Sequence, residues 1–411
     1  MKKVKVIPPN EISNCTIDLP TSKSIANRLL IINSVSNPNF KPVNLSESED
    51  TKVLIEILNN LKNEIDAGDA GTVYRFLTAL LSVRPGSWNL TGSQRMHERP
   101  IGHLVDALKQ AGADISYLKE NGFPPLKING RTLKGGRIEV DPSLSSQFVS
   151  ALLMIAPLFT DGLDLYLTKE PASVPYIQMT IDLMKRNGVK VDWQEDLIHV
   201  SPGNYSVQSS PVEPDWSAAA FWYELCALSQ NGSIFLPGLS KNSIQGDERI
   251  AEIMSRFSVR TEYSSEGVHI FKDPNLTTVN YFHADCNDIP DLVPVLVCTC
   301  VGLGIEAKIS NVHTLRIKES NRIQAMQSEL AKLGVRLNYD NDDDNLYVEQ
   351  GGMTTFTGEL NTYNDHRIAM ALAPLSIICG PLVLDDPAVV SKSYPAYWDH
   401  LILSGFKLEY N

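Results

Sequence analysis

The sequence predicts an α/β protein built from six βαβαββ-type units, with helices on the inside and sheets on the outside. Three observations support this fold class. Six helical segments are strongly apolar, a more amphipathic helix follows each of them, and short alternating strands follow most of the amphipathic helices. Length alone, at 411 residues, suggests only two or three domains.

The apolar segments recur at a nearly constant spacing. They begin at positions 23, 71, 145, 216, 289 and 366, so five of the six units fit a repeat of roughly 70 residues. The first unit is about 25 residues short of that period. The predicted apolar helices are Lys23–Val35, Gly71–Val83, Ser145–Leu158, Trp216–Leu228, Ile289–Val301 and His366–Ile378.

The second helix of each unit has apolar residues at intervals of three and four, which is typical of an amphipathic helix. Glycines such as Gly112, Gly188 and Gly334 end several of them, and a short strand follows. In a doubly wound sheet each helix keeps one face in contact with solvent. The apolar helix of each unit is apolar on most sides, which favours a position inside the protein. The second helices are predicted at Thr51–Leu61, Gly102–Ala113, Tyr176–Asn187, Glu248–Phe257, Asn321–Leu333 and Pro395–Leu403.

Composition restricts the class of protein. Hydrophobic residues make up 43% and charged residues 20%, as in ordinary globular proteins. The net charge of −12 argues against nucleic-acid binding, because such proteins carry a basic face. It is compatible with a local basic pocket for a small anionic substrate.

The sequence also predicts a soluble protein of a reducing, cytoplasmic compartment. The longest apolar stretch, Ile368–Leu384, is interrupted by two prolines and a glycine, and the N-terminus lacks the apolar core of a secretory signal. Six cysteines without metal-ligand spacing indicate buried thiols. We therefore expect no zinc site, no other metal and no nucleotide cofactor.

Cations and small polar residues cluster at the predicted helix starts. Negative charge is favoured at a helix N-terminus, so an isolated cap does not need lysine or arginine there. Lysine and arginine recur at the helix starts of most units, which predicts a binding site for phosphate and carboxylate groups. The segments that begin helices in this way are Thr21–Arg28, Asp69–Arg75, Ser145–Gln147, Lys318–Arg322, Asn364–Arg367 and Lys392–Pro395.

Five long motifs stand out along the chain. They are LPTSKSIANR at 19–28, LTGSQRMHERPIGHLVDAL at 90–108, SSQFVSALLM at 145–154, KESNRIQAM at 318–326 and NDHRIAMALAPL at 364–375. These motifs resemble the enolpyruvyl transferase family, and within it the EPSP synthases. The resemblance extends from Leu19 to Leu401.

The resemblance implies a two-domain inside-out α/β barrel, or prism, with three repeats in each domain. Residues 21–213 would form the domain that mainly binds shikimate 3-phosphate. Residues 1–20 and 214–411 would form a discontinuous second domain, with the active site between the two. We expect a monomer that needs no cofactor and has no nucleic-acid or membrane partner.

The implied reaction transfers the enolpyruvyl group of phosphoenolpyruvate to the 5-hydroxyl of shikimate 3-phosphate. By resemblance, Lys23, Asp291 and Glu319 are catalytic. The positions matching shikimate 3-phosphate contacts are Lys23, Ser24, Arg28, Ser145, Ser146, Gln147, Ser173, Tyr176, Asp291 and Lys318. Those matching phosphoenolpyruvate contacts are Lys23, Gly71, Arg99, Gln147, Arg322, Arg367 and Lys392.

This chain departs from the family pattern at three places. Asp69 replaces the usual asparagine, and we expect the new carboxylate to pair with a cation such as Arg75. Thr314 replaces the usual asparagine or glutamate, which puts one sugar contact in doubt. The segment from Glu64 to Asp69 is too short for the usual strands of the first repeat, so a smaller sheet is expected there.

Three other functions remain as alternatives. Enolpyruvyl transfer to a UDP-sugar is one, although the catalytic-cysteine loop of that enzyme is missing. A second is a non-catalytic protein that binds shikimate phosphate, and a third is an RNA-processing enzyme, which the acidic net charge disfavours.

Overall fold

The structure is a computed structural model that describes residues 2–36, 43–206, 211–349 and 351–411. The chain divides into two compact units. The inserted unit contains Thr21–Val212, and the terminal unit contains Met1–Pro20 together with Glu213–Asn411.

The chain begins with two strands of the terminal unit, β1 (Lys3–Ile7) and β2 (Cys15–Thr16). It then passes through the inserted unit. The elements there are α1 (Lys23–Ser36), α2 (Glu49–Asn59), β3 (Glu64–Asp66), α3 (Gly71–Val83), β4 (Gly86–Thr91), α4 (Gln94–His97), α5 (Gly102–Gln110), β5 (Asp114–Tyr117), β6 (Leu126–Gly130), β7 (Gly136–Val140), α6 (Ser146–Ile155), β8 (Leu163–Leu167), α7 (Val174–Arg186), β9 (Val191–Gln194) and β10 (Leu197–Val200).

The inserted unit has two four-stranded sheets, in the orders β3-β4-β6-β5 and β7-β8-β10-β9. The first pair of each sheet is parallel and the remaining pairs are antiparallel. A parallel pair needs a crossover, which the apolar helices α3 and α6 provide. This is the predicted βαβαββ order.

The first repeat is the shortened one that the sequence predicts. It contains α1 and α2, and no strand of its own within residues 23–36 and 43–63. Because α2 ends at Asn59 and β3 at Glu64 already belongs to the next sheet, the usual hairpin has no room. The described part of this repeat therefore lacks the usual strands, as predicted.

The terminal unit completes the chain. Its further elements are α8 (Trp216–Leu228), β11 (Ser233–Pro237), α9 (Ile250–Ser255), β12 (Val259–Tyr263), β13 (Gly267–Lys272), β14 (Tyr281–Asp285), α10 (Val293–Leu303), β15 (Glu306–Ser310), α11 (Arg322–Lys332), β16 (Leu337–Asp340), β17 (Asn345–Val348), β18 (Glu359–Leu360), α12 (His366–Leu372), α13 (Ser376–Cys379), β19 (Leu382–Asp385), α14 (Tyr397–Leu403) and β20 (Lys407–Tyr410).

Three sheets surround the terminal unit's helices, in the orders β12-β13-β11-β2, β14-β15-β17-β16 and β18-β19-β1-β20. The first twenty residues complete two of them, because β2 pairs in parallel with β11 and β1 lies between β19 and β20. The parallel pair recurs in each sheet as β2–β11, β14–β15 and β18–β19.

Apolar helices form the centre of each unit. In the inserted unit α1, α3 and α6 pack against one another, and in the terminal unit α8, α10 and α12 do the same. Every residue of α8 is buried except Ser217. The expectation of internal helices is thereby confirmed, since sheet residues such as Val4 and Val6 bury only alternate side chains against them.

The sixth apolar helix is shorter than the predicted 366–378. It ends at Leu372, a 3-10 turn covers Ala373–Leu375, and α13 follows. Pro374 explains the break, because it lacks the N–H that a continuous helix needs. Within the described ranges, no helix has the length and apolar character of a transmembrane span. All six cysteines are free thiols, and only Cys15 is partly exposed.

Candidate active site

One buried arginine of the terminal unit is surrounded by three carboxylates. Arg322 donates through Nη1 to Asp291 at 3.0 Å, through Nη2 to Glu319 at 2.9 Å and through Nε to Asp365 at 2.9 Å. Arg367 donates through Nη2 to the other oxygen of Asp291 at 2.8 Å. We call Asp291, Glu319, Arg322, Asp365 and Arg367 the arginine–carboxylate cluster.

The cluster forms because helix starts of successive repeats converge in this unit. Asp291 lies in the 3-10 turn that precedes α10, and Arg322 is the first residue of α11. Asp365 is the N-cap of α12 and accepts the backbone N–H of Arg367 at 3.0 Å. Such a cap satisfies an orphan donor of the helix, which fixes the direction of the carboxylate.

The charges of the cluster shift its pKa values in opposite directions. Burial raises the pKa of Asp291, but Arg367, Lys318 and Arg322 outweigh burial and hold that pKa far below its usual range. Burial alone would lower the pKa of Arg322, but the charges of Asp365, Glu319 and Asp291 outweigh burial and hold that pKa above its usual range. While both arginines face Asp291, its carboxylate is a weak base; an anion that drew the arginines away would raise its basicity.

Asp247 is a second buried carboxylate next to this cluster. Burial, together with the nearby charge of Asp291, raises the pKa of Asp247 to about 7, although Arg367 and a hydrogen bond from the Ser217 hydroxyl partly oppose the shift. Sequence reasoning missed Asp247, because nothing in the surrounding Gln245–Arg249 segment marks it as buried.

We expect Asp247→Asn to change stability in a pH-dependent way. An unfolded aspartate titrates near pKa ~3.9, so between about pH 4 and 7 the folded chain keeps a proton that the unfolded chain has lost. The contribution of Asp247 to stability is therefore present at low pH and declines as pH rises to about 7. The free energy of unfolding of the variant minus that of the wild type should increase by a few kcal/mol over this range, then level off.

Urea unfolding at several pH values measures this difference. Asp161→Asn serves as the control, because the Asp161 side chain is 51% exposed and its ion pair with Lys134 is long, so its removal should change the free energy of unfolding by less than about 1 kcal/mol. If the free energies of unfolding of Asp247→Asn and the wild type differ by the same amount at pH 5 and pH 8, the Asp247 carboxyl group does not keep its proton in the folded chain.

A second polar cluster lies at the start of α1 in the inserted unit. Lys23 Nζ is 3.0 Å from an oxygen of Asp50, which lies in the first turn of α2. Both side chains are largely buried, at 14% and 6% exposure. The sequence identified Lys23 but not Asp50, whose position follows from the packing of α2 on α1.

Gln147 and Gly71 lie at the starts of the other two central helices. Gln147 donates its side-chain amide to Thr72 Oγ1 at 3.0 Å, and the Ser145 hydroxyl caps α6. A Cβ atom on Gly71 would lie 2.5 Å from Nη1 of Arg99 and 2.7 Å from Nη1 of Arg75. Glycine is thus required for the two guanidinium groups to approach the helix start.

Arg28, one of the positions that match shikimate 3-phosphate contacts, lies in the interior of the inserted unit. The side chain is buried, with Nε 2.7 Å from Thr180 Oγ1 and Nη1 2.8 Å from the Ser24 carbonyl oxygen. Nη2 donates to the Ser150 hydroxyl and to the Tyr176 carbonyl oxygen, each at 3.2 Å. Burial lowers the pKa of Arg28 to about 10. In this structure Arg28 therefore joins α1 to α6 and α7.

The remaining predicted positions are distributed over both units. Ser173 precedes α7 with a left-handed φ of 60°, a strained conformation for serine, and Tyr176 follows in the first turn. Thr314 and Lys392 are buried in 3-10 segments of the terminal unit. Asp69 accepts a hydrogen bond from the Ser93 hydroxyl. Its expected pairing with Arg75 stays a prediction.

Comparison with known proteins shows which family this chain belongs to. The sequence profile of EPSP synthase (3-phosphoshikimate 1-carboxyvinyltransferase) matches residues 62–401. A Bacteroides fragilis protein named 3-phosphoshikimate 1-carboxyvinyltransferase is 45% identical over 406 residues, which cover 98% of this chain and 97% of the relative. The chain belongs to the EPSP synthase family.

Other relatives agree with this membership. A Vibrio vulnificus 3-phosphoshikimate 1-carboxyvinyltransferase is 35% identical and covers 94% of this chain and 96% of its own length. The structure of Acinetobacter baumannii EPSP synthase superposes with a TM-score of 0.80 and covers all of both chains, at 20% identity. That likeness confirms the fold class of the EPSP synthase family.

The EPSP synthase motifs coincide with the two clusters. In the terminal unit, five predicted site residues come together, with Lys318 Nζ 3.9 Å from Asp291; they are Asp291, Lys318, Glu319, Arg322 and Arg367. Sequence reasoning left the role of Asp365 uncertain and missed Ser320, whose hydroxyl donates to Asp365 at 3.0 Å. In the described residues, no group of three or more potential ligands is arranged to hold a metal ion.

Proposed function

We propose that this chain transfers the enolpyruvyl group of phosphoenolpyruvate to the 5-hydroxyl of shikimate 3-phosphate and releases phosphate. Membership in the EPSP synthase family supports the reaction. The arginine–carboxylate cluster is the observation that carries it, because it combines anion-binding cations with two carboxylates suited to proton transfer.

The reaction needs two proton transfers in the addition step. The 5-hydroxyl oxygen bonds to C2 of phosphoenolpyruvate as its proton passes to a base, and an acid protonates the C3 methylene carbon. In the elimination step the C2–O bond to phosphate breaks, and a proton leaves the new methyl group to restore the double bond. The proton added at C3 is thus balanced by one removed from C3, and the hydroxyl proton leaves with the phosphate. The net change is transfer of the enolpyruvyl group from the phosphate to the 5-oxygen, with release of phosphate.

The cluster suggests which side chains move these protons. Asp291 is proposed as the base on the hydroxyl side and Glu319 as the group that gives and recovers the C3 proton, with Lys23 assisting. Arg322 and Arg367 are proposed to bind the anions of phosphoenolpyruvate. When they turn to the substrate, Asp291 loses part of the positive charge that holds its pKa down, so substrate binding would make it a better base.

Polar residues of the inserted unit are proposed to bind the substrates as well. The proposed shikimate 3-phosphate contacts in this unit are Lys23, Ser24, Arg28, Ser145, Ser146, Gln147, Ser173 and Tyr176. Arg28 also fixes the backbone of Ser24 and Tyr176. The contacts proposed for phosphoenolpyruvate in this unit are Lys23, Gly71, Arg99 and Gln147. Lys392 of the terminal unit is proposed to bind phosphoenolpyruvate together with Arg322 and Arg367. We propose further that both units act on one pair of substrates, and that the enzyme is a cytoplasmic monomer.

We expect Gly71→Ala to weaken phosphoenolpyruvate binding without unfolding the chain. The new methyl group would displace the guanidinium ends of the Arg99 and Arg75 side chains, rather than backbone. Loss of one charge-assisted contact corresponds to about a tenfold rise in KM for phosphoenolpyruvate. Gly203→Ala is the control, since a Cβ there meets nothing within 4 Å. Equal KM values for the two variants would contradict a role for Arg99 in binding this substrate.

The function is tested by phosphate release from the purified chain. Release should require phosphoenolpyruvate and shikimate 3-phosphate together, with a product that carries both carbon skeletons. Replacing shikimate 3-phosphate by UDP-N-acetylglucosamine should abolish release. Release with the UDP-sugar, or binding of shikimate 3-phosphate without turnover, would each overturn the proposal.

A further inference from the structure

A buried carboxylate on α11 holds the segment that connects β18 to α12. Glu329 is fully buried and accepts the Tyr363 hydroxyl at 2.7 Å and the Asn361 backbone N–H at 2.8 Å. Lys332 lies 2.6 Å from the same carboxylate and donates to the Glu359 carbonyl oxygen at 3.2 Å. The charge of Glu329 is thus matched, and both of its oxygens are occupied.

A second carboxylate, that of Asp385, accepts a hydrogen bond from the same segment. The backbone N–H of Thr362 donates to Asp385, at the end of β19, at 2.6 Å. Tyr363 and Asn364 then adopt φ values of 55° and 54°, in the left-handed region. Two consecutive non-glycine residues persist there only when their surroundings impose the conformation. The hydrogen bonds from Asn361, Thr362 and Tyr363 supply that constraint.

The strained pair leads directly into the arginine–carboxylate cluster. Asp365 follows it, and its backbone N–H donates to the Thr362 carbonyl oxygen at 2.9 Å. The side chain of Asp365 then caps α12 and pairs with Arg322. Since Arg322 and Glu329 lie on the same helix, α11 both carries the cation and holds the segment that delivers its partner.

We propose that Glu329 and Tyr363 are positioning residues that set Asp365, and through it Arg322 and Arg367, for the anions of phosphoenolpyruvate. The hydrogen bonds of Glu329 fix a chain conformation, and their effect reaches the substrate only through Asp365. This inference rests on the proposed function, because it assigns the two arginines to one of the two substrates.

Tyr363→Phe is the test variant, because it removes one hydroxyl and keeps the ring. KM for phosphoenolpyruvate should rise about tenfold, whereas KM for shikimate 3-phosphate should stay within about twofold. Tyr339→Phe is the matched control. The Tyr339 hydroxyl donates to Asp344 at 2.9 Å in the β16–β17 hairpin, so this variant loses an equivalent bond elsewhere. An unchanged KM for phosphoenolpyruvate, or an equal rise in both KM values, would overturn the inference.

Hydrogen exchange tests the same inference without turnover. Backbone amides of residues 361–367 should exchange at least about tenfold faster in Tyr363→Phe than in the wild type, and at the wild-type rate in Tyr339→Phe. Glu329→Gln should accelerate the same amides further. Unchanged exchange in Tyr363→Phe would overturn the positioning role. A wild-type chain without phosphate release would instead overturn the proposed function, so the two failures can be told apart.

Discussion

Replacing Glu319 by glutamine should lower kcat by roughly 10²–10⁴-fold, the usual contribution of a positioned acid or base. Glutamine preserves the shape and can still accept the 2.9 Å hydrogen bond from Arg322, but it cannot give or recover a proton. We therefore expect KM for both substrates to change little. Initial rates of phosphate release at saturating substrate, together with calorimetric binding, measure the two effects separately.

The control for this variant is Glu349→Gln. Glu349 is a glutamate with a side chain 41% exposed, and its neighbour Arg336 lies 3.7 Å away. Its substitution should leave kcat unchanged. A Glu319→Gln enzyme that keeps more than about a tenth of the wild-type kcat would exclude Glu319 as the proton-transferring group.

Replacing Arg322 by alanine should have the largest effect on stability. The guanidinium group is 1% exposed and lies against Asp365, which is fully buried. Removing one partner of a buried ion pair leaves an uncompensated charge, which costs about 3–5 kcal/mol. Two further carboxylates, Asp291 and Glu319, would lose the same cation. Phosphoenolpyruvate binding should be lost as well.

Urea unfolding compares Arg322→Ala with Arg336→Ala. The Arg336 side chain is 76% exposed and its ion pair with Glu349 is long, so its loss should change the free energy of unfolding by less than about 1 kcal/mol. Arg322→Lys should fall between the two, because lysine keeps the charge but lacks the planar fork that reaches three carboxylates. Equal stabilities for the two alanine variants would contradict the central place of Arg322.

Hydrophobic pattern predicted most of the fold. The helices at Gly71–Val83 and Trp216–Leu228 have the predicted bounds, because runs that are apolar on nearly every side have one stable place, the centre of a unit. The pattern wrongly predicted that the sixth helix continues past Pro374. The helix ends before this proline, because proline lacks the N–H that a continuous helix needs. The spacing also predicted that the first repeat lacks its usual strands, and only a few residues separate α2 from β3.

Candidate site residues could be named from the sequence where they lie in a recognisable motif. Lys23, Glu319, Arg322 and Arg367 were named because they match positions in motifs that resemble the EPSP synthases. Asp50, Asp247 and Ser320 were missed, since their importance arises from the side chains that packing brings beside them. The burial of Arg28 was missed for the same reason: its partners Ser150 and Thr180 lie more than a hundred residues away in sequence.

Addition and elimination require a tetrahedral species between substrates and products. A single-turnover experiment can detect that species, with enzyme in excess over phosphoenolpyruvate labelled at C2 and quenched within milliseconds. We expect a transient species in which the labelled carbon is bonded to both the shikimate oxygen and the phosphate, formed before free phosphate appears. Release of phosphate with no such species, or from phosphoenolpyruvate without shikimate 3-phosphate, would contradict the proposed reaction.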